Sequence, residues 1–186
     1  NLLNFVFLLF AGLILHYLNP NNKLINSSLE IANSNNSKSL VYKKKFRQQH
    51  PKFSIIVPVY QEEKIIESHL KLFSEELRKK YNFELIVSDG GSTDSTVQMA
   101  QVHSDIVVMH NSTERQTISQ GRNRGADAAE GEILCFLNVD SIPADMNSFL
   151  DIIIKFADRK DNYGKYDALA CYVSGFPEEV IFKDKV

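Results

Sequence analysis

The 186-residue sequence holds only two cysteines, Cys135 and Cys171. Both stand among apolar residues that read as buried strand, so two reduced thiols are expected rather than a disulfide framework. No set of cysteines and histidines has the spacing of a zinc site. The five histidines, at positions 16, 50, 69, 103 and 110, are scattered and read as surface or boundary residues. An excess of positive charge is also missing. The net charge is −2, which gives no reason to expect a nucleic-acid partner. The first residue is Asn1 rather than methionine, so the start is read as non-native.

What is present is enough apolar material for one core. Hydrophobic residues make up 44% of the chain, and a length of 186 predicts one domain rather than two. Charge is unevenly spread. Residues 1–52 carry seven Lys/Arg against the single acid Glu30, a balance of +6, which leaves −8 on the remainder. An acidic domain of this kind binds a phosphate-rich ligand only through a cation or a few placed donors.

Residues 1–18 are read as a transmembrane or signal-anchor helix, because positions 2–18 are apolar except for Asn4 and His16. That length is at the short end of a bilayer-spanning helix. A signal-peptide core and a buried helix are the alternatives, but neither a basic front nor a small-residue cleavage site is visible. Lys43, Lys44, Lys45 and Arg47 follow the segment. By the positive-inside tendency this predicts a membrane-anchored chain with its domain on the cytoplasmic face. Residues 19–52 are expected to be a polar, basic linker. The Asn- and Ser-rich part cannot bury enough apolar area to offset its chain entropy. The basic run from Lys38 to Lys52 either rests on anionic headgroups or is simply solvated. The domain proper is expected over 53–186, truncated at its C-terminus.

From Phe53 the pattern alternates. Phe53–Val59, Phe83–Ser88, Asp105–Met109 and Glu132–Leu137 are short, β-branched apolar runs of the kind found in strands covered on both faces. Between and after them, 62–80, 93–103, 114–129 and 145–158 show helical spacing, and Ala168–Val173 reads as a fifth strand. The result is an α/β, Rossmann-like, mostly parallel sheet with flanking helices. Such sheets bind ligands at the carboxyl ends of their strands. The loops after Val59, Ser88, Met109 and Leu137 should therefore hold the chemistry.

The unusual residues fall in those places. Pro58 marks a strand exit, because it cannot donate to a central ladder. Tyr60 follows at the ligand edge, where its ring can pack against a base or cap the core, and Glu62 stands at a helix start. Asp89, on the next strand tip, can accept hydrogen bonds from a base or ribose, and Gly90-Gly91 permits a tight turn and close ligand approach. Gly121 and Gly125 lie inside a helix, where each costs roughly 1 kcal/mol relative to alanine, so they serve close packing or ligand approach. Arg122 or Arg115 can reach a diphosphate, or decorate an exposed helix. Asn138 and Asp140 alternate onto one side of a strand end and together suit a hard divalent cation.

In this order, PVYQEE, SDGGSTD, GRNRGADAAEGE and FLNVDS resemble the motifs of the family 2 glycosyltransferases of the GT-A fold. The resemblance covers residues 53–145. It implies that Tyr60 and Asp89 contact a nucleobase, usually uracil, that Arg122 lies near the donor diphosphate, and that Asp140 binds a Mn2+ or Mg2+ ion. Pro58, Glu62 and Asn138 complete the implied donor site. The implied partners are a UDP-sugar and a lipid, polysaccharide or protein acceptor, with transfer by inversion. Asn138 replaces the first carboxylate of the family's DxD motif, which weakens the cation site. No catalytic base is assigned, and Glu178 and Glu179 are the only acids near its place. Two other readings stay open at this point. One is a relative that binds nucleotide without transfer. The other is a nucleotidyltransferase, which should show a glycine-rich triphosphate loop where PVYQEE stands.

Overall fold

The computed structural model describes residues 30–34, 37–44, 50–112, 115–160, 163 and 166–170. Six strands form one sheet: β1 (Glu30–Ser34), β2 (Ser37–Lys43), β3 (Phe53–Val59), β4 (Phe83–Asp89), β5 (Ile106–His110) and β6 (Ile133–Phe136). Their order across the sheet is β1-β2-β5-β4-β3-β6. The pairs β5–β4, β4–β3 and β3–β6 are parallel, whereas β1–β2 and β2–β5 are antiparallel.

The parallel strands are apolar without alternation because both faces are covered. On one side Ile55, Val57, Leu85, Val87 and Cys135 join side chains of the helices α1 (Ile66–Lys71), α2 (Glu75–Tyr81), α3 (Thr96–His103) and α5 (Met146–Ala157). On the other, Ile56, Ile86, Ile106, Val108 and Phe136 meet α4 (Ile118–Ala128). Glycine makes α4 fit. A methyl on Gly125 would collide with Ile56 Cγ2, and the Gly121 carbonyl accepts from Ser88 Oγ at 2.7 Å. Gly131 packs against the start of β3 rather than capping α4. Ala129 caps α4 in an extended conformation. A methyl on Gly131 would lie 2.5 Å from the Phe53 carbonyl carbon and 2.6 Å from both Ser54 N and Oγ.

Three sequence expectations are corrected. The 19–52 linker is not wholly a tether, since β2 within it pairs with β5 from Ser39↔His110 to Lys43↔Ile106. Polar composition concealed this strand, which lies between β1 and β5 and whose Val41 contributes to the core at 6% exposure. The single helix expected over 62–80 is two. Ser74 starts the second as an N-cap, accepting from Leu77 N at 3.3 Å ahead of Glu75 and Glu76. The membrane anchor with its cytoplasmic-face placement is the third correction. Among the described residues no helix is long and apolar enough to cross a membrane. The 12 residues of α5 compare with the ~20 such a span requires. Residues 1–18, which carried that expectation, lie outside the described residues, as do Cys171, Glu178 and Glu179. Ala168–Ala170, the described part of the expected fifth strand, are not in a strand.

Among the described residues, His69 is the histidine whose surface reading fails outright, being 2% exposed in α1 with its ring 5.6 Å from that of Phe73. Burial pushes its pKa down from 6.5 to about 4, opposed by the charge of Asp140, so it is neutral in the fold. A histidine held neutral stabilises fully above its unfolded pKa and loses that contribution as pH falls toward the folded one. Urea unfolding should therefore show a loss on the order of 2 kcal/mol from this group between neutral pH and pH near 4.5. The fall should be visibly smaller in His69→Leu. Gly131→Ala should lower stability by roughly 2–4 kcal/mol in the same assay, because the added methyl meets backbone that cannot rotate away.

Candidate nucleotide-sugar site

The carboxyl ends of β3, β4 and β6 and the start of α4 enclose a cleft of about 260 Å³. Of the residues expected to bind a donor, Pro58, Tyr60, Glu62, Arg122, Asn138 and Asp140 all line it. Asp89 does not. It is 2% exposed behind Gly90, and its Oδ2 accepts from Gly91 N at 2.8 Å and Ser92 N at 3.0 Å. Its Oδ1 is buried with no hydrogen-bond partner. A lone buried acceptor of this kind is costly unless something donates to it.

Two strand-end loops are locked together beside the cleft. Gln61 N donates to Ser92 Oγ at 2.9 Å and Gln61 Nε2 to Thr93 Oγ1 at 2.9 Å, while Gln61 Oε1 accepts from Thr93 N and Asp94 N. Glu62 N donates to Thr96 Oγ1, and Glu63 exchanges bonds with Asp94 and Ser95. This network holds Gln61 at φ 58°, a conformation uncommon outside glycine and asparagine. The consequence is a fixed Tyr60, half exposed, with Gly90 against its Cβ and the Arg115 guanidinium 5.7 Å above its ring. Thr117 and Gln120 form a capping box that starts α4 at the cleft wall, which sets the position of Arg122 one turn later.

Arg122 Nη2 donates to Asn138 Oδ1 at 3.1 Å. Burial, then the charges of Asp140 and Asp94, raise the Glu62 carboxyl above its usual range. Among the described residues no three His, Cys, Asp or Glu side chains group as a metal cage. The charge of Asp140 bears on the Glu62 carboxyl, and a divalent cation shared by these two oxygen-bearing groups would relieve that repulsion. Their chemistry fits an ion shared with phosphate oxygens better than one held by protein alone. Asn138 adds a neutral oxygen, a weaker ligand than either carboxylate, that also accepts from Arg122.

Sequence reasoning missed Gln61 and His69 as parts of this region. The first left no signal, because its partners are 31 to 33 residues away. The second was readable, since Ile66, His69, Leu70 and Phe73 share one helical stripe.

The model of glycosyl transferase family 2 matches residues 54–172. Glycosyltransferase AglE of Haloferax volcanii is 33% identical over 96 residues, which cover 50% of this chain and 32% of AglE. The poly(ribitol-phosphate) beta-N-acetylglucosaminyltransferase TarS of Staphylococcus aureus is 36% identical over 93 residues, or 48% of this chain and 16% of TarS. Among solved structures, the mannosyltransferase PcManGT of Pyrobaculum calidifontis, in complex with GDP-Man and Mn2+, aligns with 56% of this chain and 32% of its own at 27% identity and a TM-score of 0.45. The matched segment thus spans a third or less of these relatives' length. The family match takes in every strand of the parallel sheet and the whole cleft, and the chain belongs to glycosyl transferase family 2.

Proposed function

We propose that this chain forms the donor half of a GT-A-type inverting glycosyltransferase. It binds a nucleotide-diphosphate sugar, UDP-linked in our reading, whose sugar passes to a hydroxyl of a lipid, polysaccharide or protein. The observation that carries the proposal is the convergence of Pro58, Tyr60, Glu62, Arg122, Asn138 and Asp140 on one cleft at the carboxyl edge of the parallel strands. The family match adds support.

In this reading the base stacks on Tyr60 and, with a shift of Gly90 that uncovers it, Asp89 Oδ1 accepts an N–H from the base edge, which satisfies the buried oxygen. Arg122 faces the diphosphate, and Arg115, above the Tyr60 ring, adds a second guanidinium to the same cleft. Asp140, with Glu62, would hold a Mn2+ or Mg2+ ion, which supplies positive charge to the diphosphate when bound. The acceptor oxygen attacks the anomeric carbon as the bond from that carbon to the diphosphate oxygen breaks on the opposite side. The hydroxyl proton passes to a carboxylate base, and the nucleoside diphosphate leaves with the bonding pair, its charge met by Arg122.

Calorimetric titration of the full chain with UDP, GDP and dTDP in Mn2+ buffer tests the reading. UDP should bind about tenfold more tightly than the others, a preference of ~1.4 kcal/mol. Asp89→Asn, which keeps an oxygen for the Gly91 and Ser92 amides, should erase much of that preference. A folded chain that binds none of the three would overturn the donor assignment. Glu62 adds a pH signature. Its carboxyl titrates above the usual range and coordinates only when ionised, so the gain from Mn2+ should grow as pH rises through that raised value. Glu62→Gln should flatten the profile.

A further inference from the structure

Arg122 is a half-buried cation without a carboxylate partner among the described residues. Its one side-chain hydrogen bond among the described residues goes to the neutral amide of Asn138, at 3.1 Å. Its Nε is buried with no partner, and burial alone lowers the pKa of the guanidinium. Both residues line the same cleft. The difference between an amide and a carboxylate at position 138 is therefore a difference in what happens to Arg122. A carboxylate would pair with the guanidinium and cancel its charge. The amide oxygen orients the guanidinium and leaves the full positive charge directed into the cleft. The same bond takes one lone pair of the Asn138 oxygen, which leaves a neutral and weaker ligand for a cation.

We propose that Asn138 is a positioning residue for Arg122, and that the guanidinium it holds binds the donor diphosphate directly, so that a nucleoside diphosphate binds this chain without a divalent cation. The inference rests on the donor-site reading above and deepens it. Mn2+ at Asp140 adds to binding but is not required for it. Asn138 acts through Arg122 and touches neither the reacting carbon nor the leaving oxygen.

The test is calorimetric titration of the full chain with UDP and, in parallel, GDP, in EDTA and in Mn2+. The variants are Asn138→Asp, Arg122→Gln and Arg122→Lys, each checked for folding by thermal melting. The wild-type chain should bind in EDTA, with a gain from Mn2+ below about tenfold. Arg122→Gln should lose about tenfold or more in EDTA, and Arg122→Lys should recover part of the loss. Asn138→Asp is close to isosteric, so a merely structural role would leave its affinity unchanged. It should instead weaken binding in EDTA by about tenfold while its gain from Mn2+ increases, because the new carboxylate cancels Arg122 and offers the ion a ligand. Wild-type binding seen only in Mn2+ would overturn the inference and leave the donor site standing. So would an Asn138→Asp chain that matches wild type in EDTA. Failure of both nucleotides in both buffers would overturn the donor site and the inference together.

Discussion

The approach of α4 to the parallel sheet is the constraint on which the rest of the site depends. Gly125 lets the helix backbone settle against Ile56 of β3, and the Gly121 carbonyl takes a hydrogen bond from Ser88 of β4. With a side chain at Gly125 the helix would be pushed away from β3, and with it the backbone that places Arg122 against Asn138. Intrinsic helix propensity argues against glycine here. Tertiary contact requires it, so the packing of one face fixes the cleft on the neighbouring one.

A second layer of order comes from backbone amides that would otherwise be orphaned in the loops. Gln61 and Asp89 act as acceptors for the turn after β4, while Thr96 and Ser92 receive donors from the turn after β3. Each loop is satisfied mostly by the other, which makes them one unit rather than two excursions from the sheet. Tyr60 is carried on that unit, and its orientation follows from bonds made by its neighbours.

Charges of both signs line the cleft, Arg122 and Arg115 together with Glu62 and Asp140. Burial lowers the pKa of Arg122, while burial and then the charges of Asp140 and Asp94 raise that of Glu62. Each shift records a charge lacking a compensating ion close by, and a diphosphate with or without a cation supplies what both groups lack. The neutral Asn138 bonds to one of the cations, Arg122.

Much of this was legible in the sequence. The doubly covered strands announced themselves as unbroken apolar runs, and their parallel order followed from the helices between them. Strand ends rich in Tyr, Asp, Gly and Asn marked the ligand edge, because such residues at those places have no purpose in a core. Other features were decided only by tertiary structure. The polar hairpin of β1 and β2 joins the sheet because β5 offers an open edge, which no local pattern records. Asn138 read as a weakened cation ligand from its own chemistry alone. Its partner lies 16 residues earlier on another element, and folding brought the guanidinium within 3.1 Å. Sequence determines which groups are available and on which face of an element they stand. Which of them meet depends on how closely the elements pack, and that distance is set by long-range contacts such as those of Gly125 and Gly131.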